Sequence, residues 1–396
     1  MVLISISKLL VIVLGAGFLI FSRRFQASGR LLNGMRTPTA IVLILGVFAL
    51  SLFWTVAPQE DALGSLVKYG KLLMVVLLVL LIRNRREAIW ALGVFAIAQT
   101  FLLASSWMLF AHLPVPWATS HMALTEYAVF SSYLDQGIIS SVFAALCWHL
   151  RDLAPGRFGR KLAIFLAFAG FANVFFILMG RTAHVVSVAL ISLAIMWELP
   201  KKYRPVIFML PFIIAAGLFF ASDKIRDRMT LVQTEVSAYS AQKTANTSSG
   251  IRLDLWNTAV QAIGEHPLTG SGVGSWSTQF NRLQHEKNPA HIDIAGNGNP
   301  HQEYLLWGVQ LGVPGILLFM ALLVAFWRDS LKLPRPYARA TQSTLAALTV
   351  ACLFNSSLYD AQIGDFFCIL LGLLLALGRQ SLFEQPVTHP HFKQPA

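Results

Sequence analysis

Charge is what this sequence has least of. Only 13% of its 396 residues are Asp, Glu, Lys or Arg, about half of the roughly 25% typical of a soluble domain. A chain so poor in charge cannot clothe a water-facing surface, which excludes a soluble globular protein. Cysteine is scarce as well. Cys147, Cys352 and Cys368 all lie in apolar runs, so they offer neither a disulfide framework nor a metal motif, and packing is their expected role. Internal repeats are missing, and so is any acidic cluster with metal-ligand spacing.

Apolar runs fill the space. Stretches near 20 residues recur at about 4–21, 39–56, 65–82, 88–110, 136–150, 161–179, 183–199, 205–222, 304–327, 341–358 and 361–378, the length a bilayer-crossing helix needs. The expectation is an all-α polytopic integral membrane protein, one integral domain over 1–396, with 11 or 12 transmembrane helices. The connections alternate in charge. Arg23, Arg24, Arg30 and Arg36 follow the first run, then Arg83, Arg85 and Arg86, then Arg151, Arg157, Arg160 and Lys161. Lys201, Lys202 and Arg204 come next, then Arg328, Lys332, Arg335 and Arg339, and finally Arg379 and Lys393. These account for 20 of the 31 Lys and Arg residues. By the positive-inside rule they mark the cytoplasmic side, so the net charge of +12 reports topology and not a nucleic-acid partner.

Eleven spans with an inward C-terminus leave the N-terminus outside, and a twelfth helix ahead of the first fits equally well. The first run has its positive charges after it and no small-residue cleavage site, so it is not expected to be a cleaved signal peptide. The outward connections are then 57–64, 111–135, 180–182, 223–303 and 359–360. The 111–135 segment is aromatic and amphipathic, as suits the interface. The tail 384–396 is Pro-rich, polar and expected to be disordered.

Chemistry is expected in the one long polar stretch, Ser222 to Glu303. Its 223–303 loop opens with a mixed-charge helical pattern. A helix is predicted from Arg252 to Glu265, with Leu253, Trp256, Val260 and Ile263 on an apolar face and Pro267 ending it. Gly270, Gly272 and Gly274 read as a tight turn, with a backbone nest for an anion as the weaker alternative. Arg181, basic in a short outward connection, runs against the orientation rule. An arginine so near hydrocarbon is a functional candidate unless it merely snorkels. Arg252 is a second guanidinium able to grip a phosphate, or else a surface partner of Asp254 or Glu265. His301 stands where the loop re-enters the membrane and can serve as a general base, or simply cap the helix. Lys68 and Lys71, one turn apart near the outer end of the third run, either line an anionic lipid site or snorkel. His285, His291 and His301 with Glu286, Asp293 and Glu303 fit no compact ligand motif, so no metal is expected.

Three blocks carry a resemblance. His301-Gln302, nine residues, Gly312, two residues and Gly315 resemble the signature of the O-antigen ligase family. The run from Arg252 through Trp256 and Pro267 to Gly274 is similar to a block shared by O-antigen ligases, O-antigen polymerases and pilin-type O-oligosaccharyltransferases. Arg181 in Gly-Arg-Thr-Ala-His is similar to an arginine those families carry between two mid-chain helices. The resemblance implies an inverting, metal-independent, cofactor-free glycosyltransferase of GT-C-like architecture at the outer face of a bacterial inner membrane. Its donor would be a glycan on undecaprenyl diphosphate, and a ligase's acceptor is a sugar hydroxyl of lipid A–core. His301 would act as base and Arg181 and Arg252 on the diphosphate, with Gln302, Lys68 and Lys71 as further substrate contacts. The span count falls one short of the family's usual twelve, and no large outward C-terminal domain follows, which disfavours the pilin branch. A polymerase is the enzymatic alternative. A flippase for lipid-linked glycans is the alternative of another class, disfavoured by the lack of repeats and by polar groups gathered at one face.

Overall fold

The computed structural model describes residues 13–21, 32–200, 202–203, 209–221, 226–227, 230–231, 234, 247–289 and 298–383. Most of the mixed-charge opening of the 223–303 loop, together with His291, Asp293 and the tail 384–396, lies outside them. Among the described residues all regular structure is helical. The helices are α1 (13–21), α2 (Thr37–Leu50), α3 (Gln59–Leu81) and α4 (Arg85–Phe110). Then come α5 (Tyr133–His149), α6 (Gly156–Ala172, ending in a π turn), α7 (Arg181–Glu198) and α8 (Leu210–Ala221). The last five are α9 (Ser248–Glu265), α10 (Trp276–Lys287), α11 (Glu303–Ser330), α12 (Arg335–Phe354) and α13 (Ala361–Phe383).

Each of the eleven apolar runs contains a helix. Six are long and apolar enough by themselves to cross a membrane: Gln59–Leu81, Arg85–Phe110, Gly156–Ile177, Arg181–Glu198, Glu303–Ser330 and Ala361–Leu382. The chain is a multi-pass membrane protein. Helices α5 and α12 are not among them, and both sit inside the bundle. Helix α12 packs against α5, α7, α11 and α13 and carries Thr341, Ser343 and Thr344 fully buried. Thr341 and Thr344 donate to carbonyls one turn back, on Tyr337 and Ala340, so neither hydroxyl is left unpaired. Helix α5 uses small residues for close approach. A Cβ on Gly137 would stand 2.6 Å from that of Ala183, and Ser141 and Ser187 share a 2.7 Å hydrogen bond. Close packing of this kind substitutes for a hydrophobic driving force between helices in lipid.

Among the described residues, Arg36, Arg151, Lys332, Arg339 and Arg379 gather at one end of the bundle. There Asp329 accepts from the N–H groups of Arg36 and Thr37, Arg379 and Lys332 bond the carbonyls of Asn33 and Gly34, and Glu198 faces both Arg339 and Arg151. Helix α11 leads from Ser330 at this end to Glu303 at the other, across roughly 40 Å of helix.

That helix is broken. Gly312 has φ 70 and ψ −162 inside α11, and Pro314 follows two residues on. Proline has no N–H, so the carbonyl of Gln310 loses its usual donor. Val313 turns its N–H to Pro267 instead, at 2.8 Å, which orphans the carbonyl of Val309. The loop between α9 and α10 supplies the replacements. Ser271 donates to Val309 at 2.8 Å, and Gly272 donates to Gln310 at 2.9 Å. This explains the glycines: Gly272 has φ 87, and a Cβ there would stand 2.2 Å from Cα of Thr55. The turn does more than reverse the chain, because it closes the gap in a membrane-buried helix.

Helices α9 and α10 are therefore packed onto the bundle. The inner face of α9 is Leu255, Ala259 and Ala262. Of the apolar face predicted for it, Ile263 packs on Gly308 but Val260 is 58% exposed. Helix α10, not anticipated from the sequence, buries Trp276, Phe280 and Leu283. Beneath the loop, Phe48, Tyr69, Trp307, Phe319 and Tyr304 form a continuous aromatic stack. None of the three cysteines is in a disulfide, and Cys352 and Cys368 are buried.

Gly272→Ala meets backbone on one side and a disfavoured φ on the other, so it should cost about 2–4 kcal/mol. Gly46→Ala, in α2 with nothing within 4 Å of its Cβ, should be neutral or slightly stabilising. Thermal unfolding of the two variants in detergent measures the contrast.

Candidate functional site

At the end opposite the basic residues, α11 begins with His301, Gln302 and Glu303. His301 takes a left-handed backbone, φ 53, and its N–H donates to Asn299 Oδ1 at 2.9 Å. Gln302 caps the helix, its side-chain oxygen accepting from the N–H of Leu305 at 2.6 Å. Glu303 is fully buried. One carboxylate oxygen accepts from Trp307 Nε1 at 2.9 Å, and the other accepts from the N–H groups of Leu358 and Tyr359 at 2.9 and 3.0 Å. Glu303 thus ties the start of α11 to the turn between α12 and α13.

That turn, Asn355 to Asp360, forms one wall. Asn355 Oδ1 lies 3.2 Å from His301 Nδ1, and Asp360 accepts from Asn299 Nδ2 at 3.1 Å. Lys71 supports the turn from beneath. Its ammonium is 3% exposed and donates to the carbonyls of Tyr359 and Asp360 at 3.2 and 2.7 Å, with Asp365 4.0 Å away. Lys71 is buried beneath the turn, with two of its bonds made to backbone carbonyls. Lys68 is exposed, its ammonium 4.2 Å above the Tyr359 ring. Gln302, likewise, has its amide oxygen committed to the helix cap.

The arginines arrive on two other helices. Arg181 is the first residue of α7, and its Nη1 donates to Ser249 Oγ at 3.1 Å. Ser249 lies in the first turn of α9, whose cap is Thr247 accepting from Gly250 at 3.1 Å. Arg252 follows one turn later. Its charge acts on the His301 imidazole, and Ser249 on the same helix joins Arg181, so α9 is the element that relates the three residues. The N-termini of α7 and α9 meet at the Arg181–Ser249 bond, each the positive end of a helix dipole. Two guanidiniums and these two ends make a region suited to negative charge.

Surrounding protein, foremost, and then the Arg252 charge pull the His301 imidazole below its ordinary 6.5, against the Asn355 hydrogen bond, which acts to raise it. The imidazole is therefore neutral near neutral pH. Burial pushes the Asp360 carboxyl up to about 6, with Lys71, Lys68 and Asn299 acting the other way. Asp135, in the first turn of α5, feels the Asp360 charge.

The glycine turn is no anion nest. Five consecutive N–H groups, Gly270 to Gly274, donate to His266, Val309, Gln310, Ser51 Oγ and Gln310 Oε1, and all five are used. His285 is exposed on α10, and among the described residues no three His, Cys, Asp or Glu side chains come together as metal ligands do. The sequence did not single out Ser249, Asn299, Asn355, Asp360 or Asp135. The available signal was polarity at a membrane turn: Asn299 sits two residues before His301, and Asp360 lies in the two-residue outward connection 359–360.

The sequence model of one protein family, O-antigen ligase, matches residues 162–320. These residues hold Arg181, Arg252, His301, the glycine turn and the break at Gly312. Over those residues, about two-fifths of its length, the chain is similar to the O-antigen ligase family. Members of the O-antigen ligase family are glycosyltransferase-type enzymes embedded in membranes with lipid-linked glycans as substrates. Lys68, Lys71, Asn355 and Asp360 lie outside the matched residues. An uncharacterized protein of Haemophilus influenzae is 27% identical over 125 residues, 31% of this chain and 31% of that protein, so this chain spans less than a third of that relative. A chain of a solved structure titled "Structural coordination of polymerization and crosslinking by a peptidoglycan synthase complex" is 14% identical with a TM-score of 0.47, covering 89% of this chain and all of that one. Nothing is carried over from so distant a likeness.

A titration of the His301 ring by NMR should find its midpoint below 6.5, the neutral form being lost only as pH falls through that lowered value. Arg252→Gln removes a positive neighbour and should move the midpoint upward. A wild-type midpoint at or above 6.5 would contradict the electrostatics described.

Proposed function

We propose that the protein is an O-antigen ligase: it transfers a glycan from undecaprenyl diphosphate to a sugar hydroxyl of lipid A–core at the periplasmic face of a bacterial inner membrane. The observation that carries this reading is the convergence of Arg181, Arg252 and a neutral His301 at the end of the bundle away from the basic residues. By the positive-inside rule that end faces outward.

In this reaction the acceptor hydroxyl attacks the anomeric carbon as the bond from that carbon to the diphosphate oxygen breaks. The new glycosidic bond forms on the opposite face, so configuration inverts. His301 takes the hydroxyl proton, which its depressed basicity permits because the imidazole is already unprotonated. Negative charge grows on the departing diphosphate. Arg181 and Arg252, with the dipoles of α7 and α9, stabilise it electrostatically. Asp360 and Asn299 hold the His301 backbone, and Lys71 holds the turn that carries Asp360. Charge stabilisation by guanidinium leaves no step that requires a metal.

Purified protein with undecaprenyl-diphosphate-linked glycan and rough lipopolysaccharide should yield glycosylated lipopolysaccharide in excess EDTA. His301→Ala should lower kcat by at least about 10²-fold. Arg181→Ala and Arg252→Ala should each lower it by about 10²–10³-fold and weaken donor binding too. Elongated lipid-linked glycan formed without lipopolysaccharide would make the enzyme a polymerase, and wild-type transfer by all three variants would overturn the site.

A further inference from the structure

Only an unprotonated ring nitrogen accepts a proton, and a neutral imidazole has one. His301 Nδ1 lies 3.2 Å from Oδ1 of Asn355. An amide oxygen accepts and never donates, so the proton in this contact belongs to Nδ1. That leaves the lone pair on Nε2.

The carrier of the amide oxygen is fixed. Asn355 ends α12 in an extended conformation, φ −155 and ψ 156, with its N–H donating to Ala351 at 2.9 Å. It is 7% exposed, and three residues on the chain is pinned by Glu303 through the N–H groups of Leu358 and Tyr359. The His301 backbone is anchored separately, through Asn299 to Asp360. Two sets of bonds, through Asn299 and through Glu303, thus fix the His301 backbone against the turn that carries Asn355.

We propose that Asn355 is a positioning residue that holds His301 as the Nδ1–H tautomer and so keeps Nε2 open toward the acceptor hydroxyl, a role whose catalytic consequence rests on His301 acting as the base. The charged groups around the ring are Arg252 from α9, Asp360 from the α12–α13 turn through Asn299, and Glu303 on α11, whose carboxylate is turned inward. A neutral amide in place of a carboxylate keeps the ring a weak base, which suits a group that must stay unprotonated beside Arg252. A helix cap alone explains the Asn355 N–H but not the direction of its side chain.

Protein labelled with 15N-histidine, with the His301 signals assigned by their loss in His301→Gln, reads the tautomer directly and needs no turnover. The wild type should show a protonated Nδ1 and an unprotonated Nε2 near neutral pH. Asn355→Asp, which still accepts from Nδ1, should keep that pattern, move the imidazole titration and the acid limb of transfer to higher pH, and preserve kcat above them. Asn355→Leu should shift the ring toward the Nε2–H form and lower kcat by about 10²-fold with little change in KM. A wild-type ring protonated at Nε2, or a tautomer unmoved by Asn355→Leu, overturns the proposal. Should Asn355→Leu not fold, the wild-type and Asn355→Asp spectra decide it alone. Expected spectra in a wild-type protein that transfers nothing would sink the ligase reading and leave the positioning role standing.

Discussion

Two backbone carbonyls depend on a loop from elsewhere in the chain. Where Gly312 and Pro314 interrupt α11, Val309 and Gln310 would be orphaned inside the membrane, at a cost of several kcal/mol each. The N–H groups of Ser271 and Gly272 satisfy them. In return the loop between α9 and α10 is held against the bundle, also through Thr55 and Ser51. The placement of α9 follows from that, and with it the placement of Arg252 relative to His301. A break that looks like a defect in one helix is the anchor of the polar loop.

The second dependence is electrostatic. Glu303, Lys71 and Asn299 spread no charge into the open mouth. Their bonds to one another's segments give the α12–α13 turn a fixed relation to the start of α11. A neutral imidazole suits these surroundings, because a positive charge on His301 would be repelled by Arg252. The site combines a region that favours anions with a base that is not itself an anion.

The architecture is legible because the bilayer leaves few options: each apolar run of the sequence contains a helix, and the described arginines of the inward connections lie at one end. Arg181 and His301 stand out because each is polar where the chain meets lipid, and Arg252 because it is a guanidinium at the start of the loop helix. What stayed hidden depends on contact across the fold. Asn355 and Asp360 are ordinary polar residues at a turn, and only the packing of α12 against α11 gives them a relation to His301. Lys71 read as a snorkelling or lipid-facing cation, because nothing in the sequence reveals that it reaches past Gly364 to two carbonyls. The glycine turn was recognised as a turn, but its partner lies some 40 residues downstream, in a helix whose periodicity conceals the break. Val260 followed helical spacing and is nonetheless exposed, since α9 buries the neighbouring stripe of small residues.

The central claim is that the glycine turn is hydrogen-bonded into the break of α11 and is not an open surface loop. Hydrogen–deuterium exchange on the full-length protein in detergent tests this directly, at the amides of Ser271 and Gly272. The account predicts exchange as slow as that of the buried part of α11 around Trp307 and Val309. Exchange at the rate of an unprotected turn, with α11 itself still protected, would contradict it.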